Sequence, residues 1–494
     1  MNKKKIIIVG AGIAGLSAGC YLQINGYDTE IFEAHNIPGG LCTGWNRKGY
    51  LIEGCIHGLL GSDSTHPLYK LWSELIEMDK LKFVNPDIKH LYLFEDGRRF
   101  IQYANLEKLQ KNMMETAPED EKVINEFIRD TKKFQSFQMS YDKPKEFFDL
   151  RGKLKMLKAL PLFSVMKKWI NVSALDFSKR FKNPLMQDVV NNFSSPILFE
   201  MFVLSEMDLK RCGYPTIGSR KFSKLFEEKY LGCAGNIHYK RRVCKVMIED
   251  NKAVGIVLEN GEKHYADIVI SAADGKTTVF NLLDGKYISE TIKKEYNQAD
   301  LNPSKIQVSL GVNNAFEDWP HTVKVVLPSL YTISDGSKYN SFDVLIYNYM
   351  EGLAPENKTL LVIQLDTKNG EYWSALRDMD KEKYQMEKEK ITEDLISILD
   401  RRIGGIKNNI EMTDVATPAT YIRYTGNWNG SIQGWANENI FKANPFKKEL
   451  PGLKNFFMIG QWVEPGGGVP NVFKSGRDLT QIICKKDRKK FIVG

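Results

Sequence analysis

The 494-residue chain has no run approaching the ~20 consecutive apolar residues of a membrane-spanning helix. A chain threaded through a bilayer by helices is therefore not expected. It has no CxxC pair. Its seven cysteines (Cys20, Cys42, Cys55, Cys212, Cys233, Cys244 and Cys484) are scattered and odd in number. The expectation is reduced thiols in a cytoplasmic protein, with no disulfide framework and no metal site. There is no tandem repeat and no low-complexity tract. The first strand begins so near Met1 that no cleavable signal is expected before it.

A net excess of one charge is lacking outside a single stretch. Residues 151–182 hold nine Lys or Arg (Arg151, Lys153, Lys155, Lys158, Lys167, Lys168, Lys179, Arg180, Lys182) and one acid, Asp176. Their excess equals the net charge of the whole chain, +8, so the remainder is neutral. No nucleic-acid recognition motif accompanies this patch, so a nucleic-acid partner is not expected. The basic residues stand beside Leu157, Leu160, Leu162, Phe163 and Trp169. A basic helix with such neighbours suits an anionic bilayer surface, and it also suits a solvated lid helix.

What is present in full is an ordered set of elements at the N-terminus. Ile6-Ile7-Ile8-Val9 reads as a strand buried in a parallel sheet. Gly10-Ala11-Gly12-Ile13-Ala14-Gly15 follows at once, then a helix through Leu16–Leu22 that Gly26 can end. A second strand, Asp28–Phe32, finishes at Glu33. Strand, GxGxxG turn, helix, strand and acid, in that order, form a dinucleotide site. Gly10 permits the tight turn, Gly12 lets a pyrophosphate approach the helix N-terminus, and Gly15 lets helix and strand pack closely. Glu33 is placed to accept hydrogen bonds from the adenosine ribose. The fold class this predicts is α/β.

Three further stretches are rich in glycine or in strand signals. Pro38-Gly39-Gly40 follows the acid, with a short strand near Leu51–Gly54. Strands are predicted at Val243–Glu249, Ala253–Leu258 and Ala266–Ser271, a helix at Pro67–Met78, and a hairpin over residues 88–103 turning at Asp96-Gly97. Residues 105–215 read mainly as helices. Ile306–Val312, Val344–Tyr347 and Thr359–Leu365 carry strand signals, followed by a polar helix near 380–400. The C-terminal part reads as a strand at Phe456–Ile459, then Gly460-Gln461-Trp462-Val463-Glu464-Pro465-Gly466-Gly467-Gly468-Val469-Pro470, then a helix through Asn471–Cys484.

On these motifs the chain resembles, over about 490 residues, the phytoene desaturase, carotenoid isomerase and retinol saturase group of FAD-dependent oxidoreductases, within the flavin amine oxidase fold group. The resemblance implies a Rossmann-like FAD-binding domain with a discontinuous α+β substrate domain and a helical lid or membrane segment. It places FAD binding in residues 1–80, 214–300 and 415–494. The substrate domain takes residues 81–213 and 301–414, with 151–182 facing a membrane or forming a lid. Carried over residue by residue, the cofactor set is Gly10, Gly12, Ile13, Ala14, Gly15, Glu33, Ala34, Gly39, Gly40, Leu41, His57, Val243, Ala272, Gly460, Gln461, Gly468 and Val469. Gln461 stands where many relatives have an acid. Glu53-Gly54-Cys55-Ile56-His57 departs from the group's usual Asp-Ala/Ser-Gly element, and Ile217 and Ala234 stand at usual glycine positions.

The chemistry the resemblance implies is desaturation, isomerisation or saturation of carbon–carbon bonds in a polyene, isoprenoid or other lipid. Glu464, His57 and Tyr424 are the candidate proton-handling residues, since each lies in a stretch expected near the flavin ring. The partners expected are an apolar small molecule or lipid and the membrane surface, with the protein peripheral on its inner face. A flavin amine oxidase and a non-catalytic prenyl-lipid binder of the same fold are the alternatives.

Overall fold

The structure, a computed structural model, describes residues 3–136, 141–147, 160–193, 196–298, 300–436, 446–464 and 466–494. β1 (Lys5–Val9) carries Ile6, Ile7 and Ile8, all fully buried. A run apolar on both faces is what a central parallel strand needs, because neighbours cover both sides. α1 (Ile13–Ile24) follows and ends at Asn25 and Gly26, whose φ is +80°. β2 (Asp28–Phe32) then returns parallel to β1. β3 (Gly44–Arg47) and β4 (Tyr50–Glu53) form a hairpin. α2 (Pro67–Ser73) is shorter than the helix expected over Pro67–Met78. Glu74 caps it and turns its carboxylate to Arg477 and Tyr21, and a separate 3-10 turn occupies Met78–Lys80. Tertiary pairing here overrides a local pattern that would continue the helix.

β5 (Ile88–Leu93) and β6 (Arg99–Tyr103) form the hairpin expected around Asp96-Gly97. A helical stretch includes α3 (Glu121–Gln135), α4 (Leu160–Trp169) and α5 (Ile197–Asp208). It packs around Phe127, Trp169, Phe177, Met201 and Leu204. Then come α6 (Gly218–Gly232), β7 (Asn236–His238), β8 (Val243–Glu249), β9 (Lys252–Leu258), β10 (Lys263–Tyr265) and β11 (Ile268–Ser271). β12 (Ser304–Val312), β13 (Thr322–Thr332), β14 (Lys338–Ile346) and β15 (Thr359–Thr367) precede α7 (Lys381–Ile403) and β16 (Ile410–Ala416). β17 (Phe456–Met458) and α8 (Gly468–Lys486) complete the series.

Two sheets position the site. The first is parallel, in the order β7-β2-β1-β11-β17, so strands distant in sequence lie side by side. α1 lies against α8 with almost no side chain between them. A Cβ on Gly476 would sit 2.6 Å from the Ala18 nitrogen and 2.7 Å from the Ala14 oxygen. Ser17 Oγ donates to the Phe473 carbonyl across the same contact, at 2.8 Å. The second sheet has the order β16-β12-β15-β14-β13-β5-β6. One face is apolar, with Val308, Val323, Val344 and Ile363 against Ile391, Leu395 and Leu399 of α7. Alternation along each strand turns Gln307, Lys324, Asp343 and Gln364 to the opposite face, where they stand in register across four strands.

Candidate cofactor and substrate site

The site starts at the turn between β1 and α1. Gly10 has φ +101°, and its N–H donates to the Phe32 carbonyl at 2.8 Å. A Cβ on Gly15 would overlap the Gly10 carbonyl oxygen, so Gly15 is where turn and helix touch. Gly12 differs from both. Its backbone is extended, with φ −68° and ψ 171°, and a Cβ there would meet nothing within 4 Å. Gly12 therefore opens onto the groove, at the N-cap of a helix with no acid in its first turn. Free helix N–H groups facing open space attract an anion. At the end of β2, Glu33 accepts from Ala11 N–H at 2.7 Å and from His35 N–H at 2.8 Å, which fixes its carboxylate beside the turn. Ala34, Arg241, Val243 and Ala272 line the same end of the groove.

A second glycine pair stands next to the first. Gly39 (φ +107°) donates its N–H to the Ala11 carbonyl at 2.9 Å. A Cβ on Gly40 would lie 3.5 Å from the Gly12 Cα. The groove floor is thus bare backbone from two chain segments. Beyond Leu41, the β3–β4 hairpin leads to Glu53. Its buried carboxylate accepts from Gly54 N–H and Cys55 N–H, both at 3.1 Å, and from Ser219 N–H at 2.8 Å in the first turn of α6. Burial raises the Glu53 pKa, and the three N–H donors oppose that shift.

The third segment is C-terminal. Gly460 has φ +95°, and its N–H donates to Ser475 Oγ at 3.0 Å. Gly466, Gly467 and Gly468 also have positive φ, and they open α8, which has no acid in its first turn. Gly460, Gln461, Gly468 and Val469 line the groove opposite Ile13 and Ala14. Two helix N-termini and three glycine turns thus converge on one groove.

This groove continues into a cavity of about 2570 Å³. Ordinary ligand pockets measure about 300–1,000 Å³, so there is room for a dinucleotide and a second molecule. The far lobe is lined by Phe134, Leu162, Met166, Ile170, Phe199 and Phe202 from the helical stretch. His57 lies between groove and lobe. Its Nδ1 is 3.1 Å from the Tyr347 hydroxyl and its Nε2 is 3.5 Å from Gln364 Nε2.

The three candidate proton-handling residues are not gathered at one point. His57 lines the middle of the cavity, while Tyr424 is half exposed, edge-on to His35 with ring centres 5.2 Å apart. Glu464 is not among the lining residues. It is ion-paired to Lys448 and, at 3.0 Å, to Lys145. Burial pushes its pKa up, but the two ammonium groups outweigh that and hold it below the usual carboxylate value. Sequence reasoning missed the polar groups on the cavity wall: Lys89, His90, Glu200, Lys324, Asp343 and Gln364. For the strand residues the only sequence signal is a polar or charged side chain inside an otherwise apolar alternating strand, and Glu200 lies in the largely apolar helix α5.

Burial drives the His57 pKa down to about 3, helped by His321 and Lys305. It drives His90 and His321 down to about 4. These folded values lie below the unfolded value of about 6.5. Each neutral imidazole therefore contributes stability above pH ~6.5 that is lost as pH falls towards 4. In histidine-labelled NMR spectra, the three imidazoles are expected to stay uncharged from pH 8 to 5. A midpoint near 6.5 for His57 would show it solvated and would remove it from the enclosed wall.

Known proteins bear on this geometry. The flavin containing amine oxidoreductase family profile matches residues 13–484, and the chain belongs to that family. FAD is its cofactor, and it is an FAD-dependent oxidoreductase. It is 22% identical to the 4,4'-diapophytoene desaturase (4,4'-diapolycopene-forming) of Methylomonas sp, over 99% of this chain and 97% of that one. It is 25% identical to the 1-hydroxycarotenoid 3,4-desaturase of Flavobacterium sp. (strain P99-3), covering 97% and 99% of the two chains. It is 24% identical to the chloroplastic prolycopene isomerase of Daucus carota, over 95% of this chain and 78% of the relative. Among solved structures, a triple mutant of putrescine oxidase shares the fold with a TM-score of 0.64 at 14% identity, over 98% and 99% of the chains. Among the described residues, no helix is long and apolar enough to cross a membrane, and no group of three His, Cys, Asp or Glu could hold a metal ion.

Proposed function

We propose that this protein acts on carbon–carbon bonds of a polyene, isoprenoid or other lipid, by desaturation, isomerisation or saturation. The observation that carries this reading is the continuity of one cavity, from the bare glycine groove to an apolar lobe of Phe, Leu, Met and Ile side chains. The curated relatives named above are carotenoid desaturases and a prolycopene isomerase, which supports the same chemistry.

In this reading Gly12 and the first turn of α1 would hold the FAD pyrophosphate, Glu33 and Val243 the adenosine, and residues 39–57 with the turn at 466–469 the ring. Residues 1–80, 214–300 and 415–494 form the FAD domain. When bound, FAD supplies two-electron redox chemistry. The chain's own task is orientation. The apolar lobe excludes water and holds a long substrate against the cofactor, and such positioning is worth about 7–11 kcal/mol in favourable cases. His57, hydrogen-bonded to Tyr347, is the candidate side chain in the middle of the cavity, where its lowered pKa makes it a weak base that positions substrate rather than holding a proton. The test compares lipid extracts of cells with and without the protein. A polyene with a changed number or geometry of double bonds is expected. Unchanged lipids together with oxidation of added diamine would overturn the reading in favour of an amine oxidase.

The reading includes membrane contact near residues 151–182, of which 151–159 lie outside the described residues. In the described part, Trp169 is fully buried, and Lys168 is ion-paired to Asp130 at 2.6 Å. Arg180 is ion-paired to Glu126. These two basic residues are therefore committed to their own domain. Lys167 and Lys182 are exposed, and Phe199, on the cavity rim, is 54% exposed. A basic surface beside an apolar mouth suits uptake of substrate from an anionic bilayer, at about 1 kcal/mol per Lys or Arg. Co-sedimentation with anionic vesicles is expected to weaken with salt. It is expected to fall at least tenfold when Lys153, Lys155, Lys158 and Lys167 become Gln. Equal binding of wild type and variant would assign the patch another purpose.

A further inference from the structure

The wall of the lipid lobe contains a feature that a pure hydrocarbon does not explain. β5 carries an irregularity between Ile88 and His90, where a step of two residues on β5 matches a step of one on β6. Such a bulge re-aims side chains. Here both Lys89 and His90, neighbours in sequence, line the cavity, and both are buried. Glu200 on α5 reaches them from the helical side. It is ion-paired to Lys89 and accepts from Gln102 Nε2 at 2.8 Å. On the adjacent strand, Lys324 pairs with Asp343 at 2.8 Å, and both also line the cavity.

The hydrogen-bond pattern has a definite polarity. Gln102 gives its N–H to Glu200, so its Oε1 is the acceptor for His90 Nδ1–H, at 2.9 Å. His90 is therefore the Nδ1–H tautomer. Its Nε2 is a lone-pair acceptor that has no partner among the described residues. Beside it, the ammonium groups of Lys89 and Lys324 supply N–H donors. The four charges cancel in two ion pairs, so an added carboxylate or phosphate would be unbalanced. A hydroxyl matches: its O–H donates to His90 Nε2 and its oxygen accepts from an ammonium group. A hydrocarbon against these groups would leave buried polar atoms unpaired, at about 1–3 kcal/mol each.

We propose that Lys89, His90 and Lys324 form a subsite for a hydroxyl on the lipid substrate, which deepens, and rests on, the lipid reading above. The subsite also sets register. From β5 to β15, which carries Gln364 beside His57, there are three inter-strand steps, or about 14 Å. Anchoring the hydroxyl there fixes which carbons of the chain lie beside the cofactor.

The test uses the flavin-loaded protein and measures binding by calorimetry, with three probes of one chain length: geranylgeraniol, the same chain without oxygen, and the corresponding acid. The alcohol is expected to bind at least tenfold more tightly than the deoxy chain, and the acid no more tightly than the alcohol. Lys89→Met alone leaves Glu200 buried without its partner and can disturb folding. The variants are therefore His90→Leu and the double change Lys89→Met with Glu200→Leu. Each is expected to abolish the tenfold preference while leaving deoxy-chain affinity within about twofold. Equal binding of alcohol and deoxy chain overturns the subsite and leaves the lipid reading standing. Preference for the acid, or an alcohol preference retained in both variants, also overturns it. If none of the three probes binds, the lipid reading fails and the subsite with it.

Discussion

Gly12→Val is expected to give a folded protein that retains less than a tenth of the wild-type FAD. Position 12 already has φ −68° and ψ 171°, which any residue adopts, and a Cβ there meets nothing within 4 Å. The fold loses little beyond a modest N-cap effect of about 1 kcal/mol. The branches of valine, however, project into the groove where a pyrophosphate must approach the first N–H groups of α1. Each tenfold loss of affinity is only about 1.4 kcal/mol, and a steric block of this kind imposes several such factors, enough to empty a site that is otherwise nearly saturated. Gly15→Ala is the contrast. Its Cβ would overlap the Gly10 carbonyl, so that variant should lose stability first and flavin as a consequence. Flavin absorbance per folded chain, with circular dichroism as the measure of folding, separates the two. Full occupancy in a folded Gly12→Val protein would refute the placement of the pyrophosphate.

Arg477→Ala is expected to destabilise the protein by about 3–5 kcal/mol, the usual consequence of removing one partner of a buried ion pair. Arg477 is on α8, the helix that begins at the C-terminal glycine turn. It grips Glu74 with two parallel bonds, Nε to Oε2 at 2.7 Å and Nη2 to Oε1 at 2.9 Å. Its Nη1 donates to the Asp142 carbonyl at 2.8 Å, and the Tyr21 hydroxyl of α1 donates to Glu74 Oε2 at 2.6 Å. Both members of the pair are buried. The arrangement locks α8, α1 and the end of α2 together. Losing it strands the Glu74 carboxylate and loosens both helices that open onto the groove. Replacing both charges, Arg477→Met with Glu74→Leu, should recover most of the loss. Thermal unfolding of the single and double variants checks this. A single variant as stable as wild type would show that the pair contributes nothing to the junction.

The glycine turn and its flanking strands and helix were legible in the sequence because their requirements are local. Gly10, Gly12, Gly15 and Glu33 lie in one strand–helix–strand unit, and the structure sets Asp28–Phe32 against β1 as the pattern implies. The opening of α8 was legible for the same reason. The wall of the lobe was not. Thr322–Thr332 carries Pro328 and buries Lys324, both unfavourable in a central strand, yet it pairs on both sides within the large sheet. Pro328 sits in the irregular stretch between Val326 and Tyr331, where a ladder N–H is dispensable. Lys324 is tolerated because Asp343 lies directly opposite on β14. Ile410–Ala416 likewise reads as polar, because its Glu411 and Asp414 bond to Lys358 and Arg47. A strand held by cross-strand ion pairs loses the alternation that marks a strand in sequence. The proton-handling residues were the hardest to place. Glu464 adjoins the glycine turn in sequence, yet its carboxylate is held by Lys448 and Lys145.

The central claim is that an apolar lipid and FAD share one cavity, where the lipid's carbon–carbon bonds are altered. Anaerobic mixing of the flavin-loaded protein with a polyene, monitored at the visible flavin band, tests it most directly. The account predicts a lipid-dependent change in that band, with the altered lipid recoverable from the same sample and putrescine without effect. Bleaching by putrescine, with none by any polyene or isoprenoid alcohol, would contradict it.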